Sequence, residues 1–269
     1  MLRYDAAWLI AWYAGERPLA EGVPYSWLGG AGPWRIEWVE EEFALDDVMG
    51  IVPRLDFDEE VVRLAGIADG VLRLGRARYS DGMRSNYAMD RPGGLREVLR
   101  ADYGGRLPDL GDRRLSNGIG TAVVVFDGEG RPYLPRRAPR QSVYPGGFHC
   151  TASGETVWRG AARGFEDVFT ANIVRELEEE VGLRAEDLDW IRPVALCREF
   201  LRGGKPQWFY AAATRLAETE LGERRRAAIA RQIASGRQEV MDEVAWGMEG
   251  VTLTMEGRAN VVVARGSRE

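Results

Sequence analysis

The chain has 269 residues, 45% of them hydrophobic and 29% charged, a balance that suits a folded globular protein and excludes extensive disorder. A formal net charge of −6 excludes broad electrostatic attraction to a nucleic acid polymer. With one histidine (His149) and two cysteines (Cys150, Cys197), a disulfide framework, a zinc cluster and a His-rich metal centre are excluded. Metal chemistry is left to carboxylate oxygens, which select hard ions such as Mg²⁺ or Mn²⁺.

No run of about 18 apolar residues occurs, so no membrane span or membrane partner is expected. Residues 6–13 read as a surface helix rather than a signal peptide, which makes the cytoplasm the expected location. Residues 34–39 alternate Trp34, Ile36 and Trp38 like a half-buried strand, whereas 58–72 have helical spacing, with Val61, Leu64 and Ile67 on one side. A turn is expected at 89–94 and the start of a helix at 95–99. The Gly-, Pro- and Asp-rich stretch 104–118 reads as a connector, dividing the chain into an N-terminal mixed α/β accessory region (1–115) and a second region (116–269). The tryptophans of the first suit a core and an interface equally. Oligomerisation, as a homodimer, and capping of a substrate both stand as roles for it.

Beyond the connector, 121–126 read as a buried strand, 127–130 as a turn and 132–136 as a returning strand. A further strand is expected at 148–153, a loop at 154–166 and a helix at 167–181. Strands at 190–198 and 207–213 follow, joined by the Gly203–Pro206 turn. Next comes a charged helix at 218–235 with Leu221, Ile229 and Ile233 as its apolar stripe, and then strands at 251–254 and 261–264. The order predicts an α/β (α+β) sandwich with a mixed β-sheet between helices.

The chemistry concentrates in residues 173–183, Ile-Val-Arg-Glu-Leu-Glu-Glu-Glu-Val-Gly-Leu. On a helix, Glu176 lies one turn from both Glu179 and Glu180, so the three carboxylates converge on one side while Ile173, Leu177 and Val181 face the core. Gly182 suits the left-handed residue after a helix end, and Leu183 the hydrophobic contact that follows it. Three like charges this close repel, and a bound divalent cation reverses the sign of that interaction. Arg175, four residues before Glu179, is placed to orient it by an ion pair.

Residues 175–183 resemble the second half of the Nudix box, G-x5-E-x7-R-E-U-x-E-E-x-G-U with U aliphatic, at every fixed position. The first half departs: Asp167 stands where the family has Glu, and Ala161 where it has Gly. Gly154 is the preferred equivalent of the box glycine, which implies an insertion in the 154–167 loop; Gly147 is the other candidate. Asp167 is one methylene shorter than Glu.

The resemblance implies a Nudix-type sandwich and the hydrolysis of a pyrophosphate bond in a nucleoside diphosphate linked to another moiety, of the ADP-ribose, dinucleotide or nucleotide-sugar type. It further implies that Glu176, Glu179 and Glu180, with the backbone carbonyl of Gly154, bind Mg²⁺ or Mn²⁺, and that Arg175, Glu179 and Glu180 serve catalysis. The general base is left open between a box glutamate and a later acidic stretch supplying Glu239, Asp242 and Glu243, of which Glu243 is preferred. Arg137, Arg140 and Arg198 are candidate phosphate contacts. His149 and the two thiols read as packed residues. A relative of the isopentenyl-diphosphate isomerases would need more histidines than the chain has. The alternative from a different class is a non-catalytic Nudix module that binds a nucleotide as a sensor.

Overall fold

The computed structural model describes residues 5–40, 43–46, 58–91, 95–139, 141, 144–160, 162 and 164–266. Its centre is a strand that no solvent reaches: β6 (Gly120–Phe126) is buried at all seven positions. Thr121, Val123 and Val125 point to one face, while Ala122, Val124 and Phe126 point to the other, so a continuous apolar run is what the strand requires. β6 runs parallel to β10 (Lys205–Ala213) and antiparallel to β7 (Pro132–Arg137) and to β8 (Ala152–Glu155). β10 pairs antiparallel with β9 (Trp190–Glu199), and β7 with β11 (Val240–Ala245).

Helices cover both faces. α4 (Ala171–Val181) and α5 (Glu218–Ala234) pack against each other, and Ile173, Leu177, Val181 and Leu221 enter the core on the Val123 side. α6 (Met255–Gly266) covers the other face with Ala259, Val261 and Ala264. The fold is a mixed sheet held between helices, as expected.

The first hundred residues are woven into this body. After α1 (Ala6–Trp12), the hairpin of β1 (Pro18–Ala20) and β2 (Val23–Gly29) extends the main sheet by pairing β2 with β9. A second sheet has the order β3 (Arg35–Trp38), β5 (Val71–Arg78), β4 (Glu60–Ala68). Its Val62, Leu64, Leu72 and Leu74 share one core cluster with Val123 and Leu177. Main-chain bonds cross the position expected for a boundary: Ile119 N–H donates to Val62 O at 2.8 Å and Val62 N–H to Thr156 O at 2.8 Å. The short α2 (Tyr79–Arg84) and α3 (Leu95–Tyr103) complete this part.

Three expectations are corrected. Residues 58–72 are not helical but form most of the β4–β5 hairpin; a bulge between Leu64 and Gly66 brings Leu64 and Ile67 to one face, while Val61 faces the cleft on the other, so their helical spacing is fortuitous. Residues 251–254 and 261–264 are not strands of a sheet. Thr254 precedes α6, and the β-branched Val261–Val263 run lies inside that helix because its small face (Ala259, Val261, Ala264) fits the sheet. The strand expected at 148–153 is shorter and later, at Ala152–Glu155, with Phe148 making only isolated bridges to Arg136 and Leu253. Among the described residues no helix is long and apolar enough to cross a membrane.

If the two sheets share one core, Leu64→Ala should remove about 2–5 kcal/mol from the whole molecule. Thermal unfolding followed by tryptophan fluorescence and by hydrogen exchange at β6 should move together. An unchanged β6 exchange rate would mean that the N-terminal sheet unfolds on its own.

Candidate functional site

α4 stands where it does because its apolar spacing buries one side and its polar ends are tied down. Gly182 takes the left-handed conformation (φ 74°) and ends the helix, with Leu183 N–H donating to Leu177 O at 3.2 Å. From α5, the Gln232 amide donates to the carbonyls of Glu179 (2.8 Å) and Glu180 (3.0 Å), two groups the helix end leaves unpaired. Asn172 links the helix to β6 and β8 by donating to Thr121 Oγ1 at 3.0 Å and to Glu155 O at 3.2 Å.

Strand β8 then presents three successive residues to the cleft. Ser153 N–H donates to Glu180 Oε1 at 3.2 Å. Gly154 lies directly under the Glu176 carboxylate: a Cβ added there would sit 2.5 Å from Glu176 Cδ, so only glycine leaves the carboxylate its place. Glu155 turns to the opposite end of the cleft, 3.1 Å from Lys205 Nζ. The cleft has a volume of about 1220 Å³ and is lined at the α4 end by Gly154, Arg175, Glu176, Glu179, Arg137 and Glu239.

These groups form an electrostatic unit. Arg175 donates to Glu176 Oε1 at 2.8 Å and lies 3.6 Å from Glu179 Oε1, so it braces both, as its spacing suggested. Burial pushes Glu176 from its usual 4.5 up to about 8, with Arg175 opposing and Glu179 adding to the rise. Glu180 is pushed well above the carboxylate range by burial and by the charge of Glu239, with Arg137 opposing. Burial also raises Glu239, against the pull of Arg137. Glu239 is held in place from its backbone, whose N–H donates to Gln232 Oε1 at 2.9 Å. The same glutamine therefore ties the end of α4 to Glu239. Buried carboxylates facing each other with less cationic charge than they need are the donor set a hard divalent ion requires. Glu176 and Glu180 fit that description, and Glu179, more exposed but held beside Glu176 by Arg175, adds a third carboxylate.

The floor of the cleft is polar. Arg202 Nη1 lies 3.1 Å from Glu199 Oε2, with its guanidinium 4.4 Å from the centre of the Tyr87 ring. Tyr87 OH donates to Glu155 Oε1 at 2.5 Å. Burial would raise Glu155, but Lys205 and Tyr87 outweigh it and hold the carboxyl below its ordinary value. His149, Cys150 and Glu256 bring ligand-type atoms within 4.8 Å of one another. Both His149 ring nitrogens are already engaged, by Thr254 Oγ1 (2.5 Å) and Ser153 Oγ (3.0 Å). Burial pushes the imidazole well below its usual range and the Cys150 thiol well above, so both are neutral near pH 7. This trio packs the floor, in keeping with the reading of His149 and Cys150 as packed residues.

Not every expected residue reaches the cleft. Glu243 pairs with Arg136 at 2.5 Å on the surface, its side chain 59% exposed, while Glu239, four residues earlier and just before β11, lines the cleft instead. Arg198 is buried away from it and donates to Gly204 O at 2.8 Å. Asp167 is exposed in the π-helical turn Glu166–Thr170 before α4 and does not line the cleft. Arg140 and Ala161 lie outside the described residues. Sequence reasoning missed Glu155, Arg202, Lys205, Gln207 and Glu256, which belong to no local motif; the one available signal was that Lys205 is the chain's sole lysine.

Between about pH 4.5 and 8 the metal-free fold holds a proton on Glu176 that the unfolded chain has released, so stability should fall as pH rises through this window. Melting temperatures without metal should drop across it, and Mg²⁺ added at pH 8 should reverse the drop; Glu176→Gln should flatten both effects. Gly154→Ala should leave the melting temperature nearly unchanged while weakening Mg²⁺ binding in calorimetry, because the added methyl displaces the end of a flexible side chain rather than backbone.

No family model matches the chain, and no curated protein matches it. Among solved structures it is similar to DR0079 from Deinococcus radiodurans, at 15% identity over 55% of this chain and 82% of that one, with a TM-score of 0.37. It is also similar to a MutT protein from Methanosarcina mazei Go1, at 14% identity over 56% of this chain and 96% of that one, with a TM-score of 0.31. A Nudix hydrolase from M. smegmatis, RenU, is similar at 15% identity over 56% of this chain and 86% of that one, with a TM-score of 0.34.

Proposed function

We propose that the chain is a Nudix-type pyrophosphohydrolase that uses Mg²⁺ or Mn²⁺ to split a nucleoside diphosphate linked to another moiety. The observation that carries this reading is the meeting, in one cleft, of Glu176 and Glu179 of α4 with Glu239, Arg137 and Arg175, next to the buried Glu180 that Ser153 N–H holds. Glu176, Glu179 and Glu180 would hold the divalent ion, and Gly154 supplies the close backbone approach. A bound ion would offset the charge of the diphosphate and lower the pKa of a coordinated water.

The chain's own residues divide the remaining work. Arg175 keeps Glu176 and Glu179 from swinging apart. Arg137, whose charge acts on both Glu180 and Glu239, would supply a fixed positive charge to a phosphate entering between them. Glu239 stands across the cleft from α4 on the strand-entry loop. With its affinity for protons raised by burial, it is suited to take the proton of the attacking water. Gln232 fixes the separation of Glu239 from α4 through paired amide bonds to both.

A panel of nucleoside-diphosphate compounds with Mg²⁺ or Mn²⁺, with product identification, tests the reading. Hydrolysis should vanish with a chelator and in Glu179→Gln. Glu239→Gln should lower kcat by about 10²–10⁴-fold with KM little changed, while Glu243→Gln stays near the parent. Tight nucleotide binding without turnover across the whole panel would favour the sensor instead.

A further inference from the structure

The inner end of the cleft takes no part in the metal chemistry above, yet it is built with care. Both halves of the chain form it: Tyr79 and Tyr87 from the N-terminal region, and Gly120, Glu155, Lys205 and Gln207 from β6, β8 and β10. Lys205 is the sole lysine in a chain with 36 lysine and arginine residues, and its side chain is only 3% exposed. Among the described residues its ammonium meets one acceptor, Glu155 Oε1 at 3.1 Å, which leaves two donor hydrogens. Gln207 spends its amide N–H on Glu256 Oε1 at 3.2 Å, and among the described residues nothing donates to its carbonyl oxygen. Glu155 Oε2, itself buried, also has no partner among the described residues. A side chain at Gly120 would collide with the ends of both Gln207 and Lys205, so glycine keeps these polar groups open to the cleft.

The chemistry of a matching ligand follows from this inventory. Charges are balanced, Lys205 against Glu155 and Arg202 against Glu199, so a further phosphate finds no surplus of positive charge. The Tyr79 and Tyr87 rings are inclined by 47° at 6.4 Å and do not form a parallel slot for a planar base. Spare donors beside spare acceptors, with an aromatic face alongside, match groups that donate and accept at once: hydroxyls on a saturated ring.

We propose that this inner end is a subsite for a hydroxyl-rich, sugar-like moiety joined to the diphosphate, with Lys205 and Glu155 as its specificity-determining pair. The assignment rests on the hydrolase reading for where the diphosphate lies. β8 connects the two ends: Gly154, under Glu176, is followed by Glu155, on Lys205.

A single lysine makes the test direct. Protein carrying ¹³C at lysine Cε gives one lysine side-chain signal. In Glu239→Gln protein with Mg²⁺, titration with ADP-ribose and with UDP-glucose should shift that signal, whereas ADP and UDP should leave it in place. Lys205→Met in the active protein should raise KM for the sugar-linked compounds by about 10- to 100-fold with kcat unchanged. The double variant Lys205→Met with Glu155→Gln strands no buried charge, and should reproduce the KM effect at a normal melting temperature. A shift without hydrolysis of any compound supports the subsite and sinks the hydrolase reading. Hydrolysis with an unmoved lysine signal and an unchanged KM in the folded double variant overturns the subsite and spares the hydrolase. Equal shifts with ADP and ADP-ribose overturn the sugar assignment, and no shift with any compound overturns the subsite itself.

Discussion

The pairing of β8 with β6 is the constraint on which the cleft depends. Four residues of β8 are held in register against Gly120–Val123, in a strand buried at every position. That register decides that Ser153 meets Glu180, that Gly154 lies beneath Glu176 and that Glu155 turns toward Lys205. A slip by one residue would send each of these groups to the wrong face. Asn172 reinforces the same register from α4 by bonding at once to Thr121 on β6 and to the Glu155 carbonyl on β8.

Around this frame the charges are arranged in two unlike groups. At the α4 end, buried carboxylates outnumber the arginines that face them, and their affinity for protons rises accordingly. At the inner end each buried acid has a cation or an amide of its own, and Glu155 remains ionised despite its burial. Burial costs a charged group a great deal unless it is paired. The first arrangement is therefore one that an added cation completes, and the second is already complete in charge and open only in hydrogen bonding.

What the sequence made legible was what is local. The helical period of Ile173, Leu177 and Val181, the Arg175–Glu179 pair and the stop at Gly182 all follow from neighbours within one or two turns, and the structure has each of them. The continuous apolar run of β6 was equally plain. The β4–β5 hairpin was misread because a bulge disturbed its period of two, and α6 because three valines in a row favour strands until a small-residue face finds a sheet to cover. The inner end of the cleft was out of reach for a different reason. Tyr87, Glu155, Lys205 and Glu256 come from four separate stretches, and only the tertiary fold makes them neighbours. The acidic stretch from Glu239 to Glu243 was legible, but not that its two glutamates end up in different surroundings, Glu243 on the surface with Arg136 and Glu239 in the cleft.

The β1–β2 hairpin carries a consequence for anyone cutting this chain into pieces. It shields the outer side of β9, and β1, three residues long, closes the sheet with almost no border to spare. A fragment beginning near residue 115 would lose that cover together with β4, leaving rows of unsatisfied amides and carbonyls along β9 and beside Ile119. Such raw margins are templates for strand-to-strand adhesion between molecules. Self-association of the fragment would then report a wound made by the cut rather than a habit of the intact protein.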